Sequence, residues 1–231
     1  MTDAPVVAVI VFPGSNDDRD AVWALGAVGA DPVPVWHSEP ELPANVGAVV
    51  LPGGFSYGDY LRCGAIASQA PAMDAVRRFA AGGGPVLGIC NGFQILCEAK
   101  LLPGVLRANQ QLEFVCRDVA VRVESTASPL LGRCDVGQEL VIPVKHGEGA
   151  WYADEGQFMQ LVARGQIALR YAEDVNGSFG GVAGVTNLAG NVLGVMPHPE
   201  HAVDPLLGSA DGGLLLAALA DAAARHSLAL A

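Results

Sequence analysis

Through the first hundred residues, apolar runs of strand length alternate with segments of helical periodicity. Val6–Phe12 is continuously apolar and stops at Pro13-Gly14, the pattern of a strand buried on both faces. Asn16 is placed to cap a helix over Asp17–Val28, where Ala21, Val22, Leu25 and Val28 recur at helical spacing and acidic residues fill the first turn. Pro32–Trp36 and Gly47–Leu51 predict two further strands, the second closing on Pro52-Gly53-Gly54. A helix is expected over Ala72–Ala81, ended by Gly82-Gly83-Gly84. From about Arg107 the texture changes. Phe114–Val123, Glu139–Val144 and Gln166–Tyr171 predict strands without intervening helices, and Gly180–Thr186 with Asn191–Val195 predicts a hairpin around Asn187–Gly190. An Ala/Leu-rich helix over Gly212–Leu228 closes the chain. No repeat, low-complexity tract or linker interrupts it, so residues 1–231 read as one α/β domain: a doubly wound, mostly parallel sheet flanked by helices, with an antiparallel flank. In such a sheet reactive groups gather at the carboxyl ends of the strands, which places Pro13-Gly14, Gly53-Gly54 and Cys90 in one crevice.

Cys90 lies in the stretch that concentrates the chemistry, Pro85–Gln94. A short apolar run ends in Gly88-Ile89-Cys90-Asn91-Gly92, and a helix-compatible segment comes next. Gly-x-Cys-x-Gly is the cysteine counterpart of a nucleophile elbow, a turn sharp enough to expose one side chain between strand and helix. Its neighbours two positions away must be small, and Gly88 and Gly92 are. The helix N-terminus beyond the turn favours a thiolate, and the Asn91 N–H is placed to receive developing negative charge. The same pattern also describes a buried cysteine in a Gly-rich turn.

A second constellation stands near the end of the chain, at Met196-Pro197-His198-Pro199-Glu200. Prolines on both sides of His198 bias the segment to extended geometry, which puts Glu200 on the same side as His198. A carboxylate there would fix the imidazole tautomer and stabilise the imidazolium, as the base of a cysteine nucleophile requires. His146-Gly147-Glu148 is a rival pair, interleaved with glycines and so less suited to hold a triad.

Composition narrows the setting. The formal net charge of −11 argues against phosphate-directed nucleic-acid binding. The 51% hydrophobic content fills a sizeable core. Five scattered cysteines without a Cys-x-x-Cys pair make neither a disulfide framework nor a zinc site, which suits a reducing cytoplasm and gives no metal site. Val6–Phe12 is too short for a signal core or a membrane span. Only two lysines occur, Lys100 and Lys145, neither in a P-loop context, and no Gly-x-Gly-x-x-Gly succeeds the first strand. Asp17, Asp18 and Asp20 read as first-turn acids of a helix rather than a cation site. Cys97 reads as core, Cys63 as small and structural though close to the site, Cys116 and Cys134 as unpaired, and His37 and His226 as surface residues.

Gly88-Ile-Cys-Asn-Gly-Phe-Gln94 together with Pro197-His-Pro-Glu200 resembles the class I, or triad, glutamine amidotransferases. Pro52-Gly-Gly-Phe-Ser-Tyr-Gly-Asp-Tyr-Leu-Arg62, His146-Gly-Glu-Gly149, Asn176-Gly-Ser178 and Gly190–Glu200 narrow the resemblance to the PurQ-type glutaminase subunits of phosphoribosylformylglycinamidine synthase, over nearly the whole chain. The resemblance implies Cys90 as nucleophile, His198 as base and acid, and Glu200 as the residue that orients His198. It implies an oxyanion hole and glutamine site at Gly53, Gly54, Phe55, Asn91 and Gln94, aided by the loop Asn109–Phe114. It further implies a PurL-type synthetase partner that uses ATP and Mg to convert formylglycinamide ribonucleotide, a small PurS-type third subunit, and no cofactor in this chain.

Three positions depart from the family pattern. His201 stands where an arginine is usual, Asp174-Val175 where Asn-Pro is expected, and Arg107–Phe114 matches loosely. An amidotransferase of a different synthetase, a cysteine hydrolase of the intracellular protease and deglycase superfamily, and a regulatory subunit with a dead site are the competing readings. The deglycase reading has no need of Glu200 or of the Gly53–Ser56 loop, and decay of the site would usually remove at least one of Cys90, His198 and Glu200.

Overall fold

A computed structural model describes residues 4–230. Strands β1 (Val6–Val11), β2 (Asp31–Trp36), β3 (Ala48–Leu51) and β4 (Val86–Ile89) alternate with helices α1 (Asp18–Ala27) and α2 (Pro71–Ala81), and α3 (Asn91–Glu98) comes directly after β4. The β1, β3 and β4 side chains are almost wholly buried, as their unbroken apolar runs require. β2 carries Pro32 and Pro34 and forms the sheet edge, where a missing N–H leaves no ladder bond unmade.

The second half contributes β5 (Val105–Arg107), β6 (Val115–Val123), β7 (Glu139–His146), β8 (Ala150–Tyr152), α4 (Glu155–Ala163), β9 (Ile167–Tyr171), β10 (Val182–Thr186), β11 (Val192–Val195) and α5 (Gly212–Leu230). Nine strands make one sheet in the order β2-β1-β3-β4-β11-β10-β9-β6-β7. The pairings from β2 to β11 are parallel and those from β11 to β7 antiparallel. The expected antiparallel flank is the continuation of the parallel sheet, and β11 is the joint. β5 and β8 form a small antiparallel pair of their own. α1 and α5 pack together against β1, and α3 lies across β3, β4 and β11.

Three expectations need correction. α4 stands between the strand region and β9, where no helix was expected. It buries only Leu161, so it carries no apolar stripe to reveal it. β7 runs two residues past Val144, with Leu140, Ile142, Val144 and His146 alternating into the interior. Asn16 does not cap α1: the capping position is Asp17, and its side chain makes no capping bond.

β11 pairs with β4 in a register that brings Val195 beside Ile89, so the two strands end together. Cys90 is the first residue beyond β4, and the turn carrying His198 lies just beyond β11. The sheet thereby places the two candidate chemical groups side by side.

Candidate active site

Cys90 has φ 49° and ψ −102°, a backbone conformation unusual for any residue with a side chain. The turn is held by its own N–H, which donates to the Val195 carbonyl at 2.7 Å. Both flanking glycines are sterically required. A Cβ on Gly92 would lie 2.0 Å from the Leu51 carbonyl oxygen, and one on Gly88 would lie 2.5 Å from Leu96 Cδ1. The elbow therefore exists because β4 and α3 can close on each other and on β3 without side chains between them. The Cys90 thiol is 5% exposed and reaches towards the Lys145 carbonyl at 3.8 Å.

His198 is fully buried and anchored through its N–H to the Pro143 carbonyl at 2.8 Å. Its Nδ1 meets Glu200 Oε1 at 2.6 Å. Pro199–His201 forms one tight 3-10 turn. This differs from the extended geometry the prolines suggest: Pro199 occupies the first position of the turn, where its missing N–H costs nothing. The turn still delivers Glu200 to the Nδ1 side. Nε2 has no hydrogen-bond partner, and the imidazole is influenced by the nearby Cys90 thiol. Burial works against the imidazolium, yet the Glu200 carboxylate and then Cys90 outweigh it and push the His198 pKa up to about 10. A thiol, an imidazole and a carboxylate in this order can generate a thiolate nucleophile and hold the resulting imidazolium.

The rival pair is not a second dyad. His146 Nδ1 faces Asn109 Oδ1 at 3.0 Å, and that oxygen also accepts from the Gly149 N–H, so His146 donates there. Asn109 Nδ2 in turn binds the carbonyls of Glu113 and His146. Burial, the charge of His198 and a weaker opposing backbone bond leave the His146 pKa lowered to about 4. His146 is a neutral structural residue of the cavity wall.

A cavity of about 170 Å³ opens over Cys90. Gly54, Phe55 and Asp59 line it from the loop after β3, Gln94 from α3, and Lys145–Glu148 from the end of β7. Gln94 Nε2 donates to the Glu148 carbonyl at 2.7 Å and its Oε1 accepts from Asn91 Nδ2 at 2.8 Å, so the side chain braces the wall. Asn91 Oδ1 accepts from the Ser56 N–H, joining elbow to loop. The Phe55 N–H donates to the Gly14 carbonyl at 2.8 Å, and Phe55 lines the cavity. Gly53 is not among the residues lining this cavity but adjoins His198, whose Cε1 would lie 2.6 Å from a Cβ there. Within Asn109–Phe114 only Phe114 reaches the cavity. A larger groove of about 600 Å³, near Lys100–Val105 and Tyr152–Gln157, contains none of these groups.

Cys63 also lines the cavity, but burial and the neighbouring Glu148 and Asp59 carboxylates drive its pKa far upward, leaving an inert thiol. Cys97 is likewise silenced by burial, and Cys134 is pushed up to about 11. His37 and His226 are half-buried rather than superficial, with His37 Nδ1 2.7 Å from the Tyr57 hydroxyl.

Sequence reasoning misses Asp17 and Lys145. Asp17 is buried, its Oδ1 is 2.5 Å from Lys145 Nζ and 3.2 Å from His201 Nε2, and its Oδ2 is 3.7 Å from His198 Nδ1. Asp17, His198, Glu200 and His201 offer ligand atoms within 4.8 Å of one another, the spacing of a metal set. The Lys145 ammonium already supplies a cation to it. The remaining signal in the sequence is weak: one of only two lysines, placed just before His146.

Residues 4–211 match the family model of the CobB/CobQ-like glutamine amidotransferase domain. The phosphoribosylformylglycinamidine synthase subunit PurQ of Bradyrhizobium diazoefficiens is 53% identical over 223 residues, covering 92% of this chain and 96% of that protein. The PurQ subunit of Rubrobacter xylanophilus is 54% identical over 217 residues, covering 94% and 98%. Among solved structures, PurLQS from Thermotoga maritima superposes with a TM-score of 0.87 at 40% identity, over 94% of this chain and 98% of that one. By these matches over nearly its whole length, the chain belongs to the glutamine amidotransferase family, in its PurQ branch.

Proposed function

We propose that Cys90, His198 and Glu200 carry out the glutamine hydrolysis by which this chain serves as the glutaminase subunit of a phosphoribosylformylglycinamidine synthase, in purine biosynthesis. The observation that carries the assignment is the buried 2.6 Å contact of Glu200 with His198 Nδ1, with the ring's other nitrogen left without a hydrogen-bond partner and free to serve the Cys90 thiol. The Cys90 thiolate attacks the side-chain amide carbon of glutamine. Negative charge on the oxygen is taken by the N–H of Asn91, at the first turn of α3, and by that of Gly54 across the cavity. His198 gives its proton to the departing ammonia, leaving a γ-glutamyl thioester on Cys90. Neutral His198 then draws a proton from an attacking water, and glutamate leaves as the thiolate re-forms. Gln94 and Asn91 hold the loop that walls the substrate side, so their part is to shape the glutamine site.

Ammonia passes to a PurL-type synthetase chain, the partner named in the Thermotoga maritima assembly, together with a small PurS-type subunit. ATP and Mg belong to that partner's chemistry; this chain has two lysines, neither in a phosphate loop. A cytoplasmic setting agrees with five free cysteines. Among the described residues no helix is long and apolar enough to cross a membrane. A deglycase-type hydrolase would leave the Glu200 contact without a purpose.

The test is glutamate release from glutamine, by the chain alone and with its own host's synthetase chains and formylglycinamide ribonucleotide. Strong stimulation by those chains, lost in Cys90→Ala, is the expected result. A Cys90-dependent rate that the synthetase chains leave unchanged would assign the ammonia to another acceptor.

A further inference from the structure

The first residue ahead of a helix usually turns its side-chain oxygen back onto the helix's free N–H groups, a contact worth about 1 kcal/mol. Asp17 holds that position before α1 and makes no such bond. Its carboxylate turns into the site instead, with Oδ1 on Lys145 and His201 and Oδ2 3.7 Å from His198 Nδ1. Gly53 admits it: a Cβ there would fall 2.5 Å from Asp17 Oδ2 and 2.6 Å from His198 Cε1. The distance to Nδ1 is too long for a hydrogen bond, but opposite charges at that range in a buried site interact strongly.

We propose that Asp17 is a positioning residue of His198, a second carboxylate held in place by Lys145 that shares the imidazolium with Glu200 and so sets the pH range in which His198 can donate a proton. The charged and titratable groups facing His198 are Cys90 from the elbow, Lys145 and His146 from the end of β7, Asp17 from the head of α1, and Glu200 and His201 from its own turn. Asp17 is the one group that touches both the imidazole and the opposing ammonium. Burial alone would raise its pKa, but the His201 bond, the His198 charge and Lys145 together hold it well below the usual carboxylate range. It remains an anion wherever the enzyme works. His201 takes the Oδ1 contact that fixes the carboxylate's outer edge.

This inference rests on the Cys90–His198 reading above. Its test is kcat/KM for glutamine against pH, in the complex with the synthetase chains, for Asp17→Asn and Lys145→Gln. In Asp17→Asn the alkaline limb, which reports loss of the His198 proton, moves down by about one pH unit, and kcat falls roughly ten-fold with KM nearly unchanged. In Lys145→Gln the limb moves up, because the cation that competes for Asp17 is gone. NMR titration of the His198 ring in a Cys90→Ala background shows the same two shifts and also serves variants of low activity. A limb and ring titration that stay in place in Asp17→Asn overturn the proposal, as do shifts of the same sign in both variants. A purely structural Asp17 lowers activity at every pH without moving the limb. Activity retained by Cys90→Ala would overturn the underlying reading and this inference with it, whereas an unmoved limb beside an inactive Cys90→Ala removes only the role of Asp17.

Discussion

At Cys90 the left-handed φ costs of order 1–3 kcal/mol, and the surrounding structure holds it there with one backbone bond to Val195 and two glycines that no other residue could replace. The strain has a purpose in the proposed chemistry, since it lifts the thiol out of the strand towards His198. Glu200 makes the complementary contribution from the other side of the ring. Glu200→Gln keeps the shape of that contact and removes its charge. Glutaminase kcat in the complex is therefore expected to fall by roughly a thousand-fold, while KM changes little; a loss confined to KM would mean that Glu200 binds substrate instead. His146, by contrast, contributes to stability. Its pKa lies near 4 in the folded chain against an ordinary 6.5, so the unfolded state binds the proton first as pH falls. Stability from this group is present above pH 6.5 and is lost as pH falls towards 4, by roughly 3 kcal/mol over the window. Neither His198, whose raised pKa has its effect between 6.5 and about 10, nor Asp17, whose carboxyl titrates below its ordinary 3.8, adds to that slope. Urea unfolding across the window shows the slope in wild type and a shallower one in His146→Gln; equal slopes would exclude His146 as its source.

Between the residue and the whole lie the junctions β4–α3 and β11–turn. Their pairing puts the two chemical groups at adjacent strand ends, and Gly92 lets α3 approach the end of β3 at Leu51. Gly92→Ala sets a methyl 2.0 Å from a backbone oxygen, so β3 and α3 must part. Thermal or urea unfolding is expected to show a loss of about 3 kcal/mol or more, or an insoluble chain; a loss under about 1 kcal/mol would show that the elbow is more yielding than its geometry implies. These junctions are legible in the sequence because they are local: an apolar run, two glycines about a cysteine, prolines about a histidine. α4 is not, since a helix that buries only Leu161 has no period to read. Its start does leave a trace, for Asp154 accepts from the Gln157 N–H, and Asp-x-x-Gln is a capping pattern. β5 and β8, three residues each, are too short for any pattern. Asp17 is the instructive case. Its type and position fit a helix start, and only the fold brings it to His201, 184 residues later.

On the scale of the molecule, the two halves of the mixed sheet have different tasks. The parallel half ends at Cys90 and His198. The antiparallel half ends at β7, at the opposite edge of the strand order, yet Pro143 accepts from the His198 N–H and the Lys145 carbonyl faces the Cys90 thiol. The sheet thus curls back so that its far edge walls the cavity and supplies Lys145 to Asp17. Glutamine would be enclosed between the loop after β3, the elbow and the β7 end, with the catalytic groups on the parallel side. The proposed chemistry makes Cys90 the site at which substrate carbon becomes covalently bound. The most direct measurement is therefore to quench the working complex in acid during turnover of glutamine and map the modified peptide by mass spectrometry. A γ-glutamyl adduct on the peptide bearing Cys90, absent in Cys90→Ala and accumulating when His198→Asn slows its hydrolysis, is the predicted result. Turnover with no adduct in any variant, or an adduct on Cys63, would contradict the account.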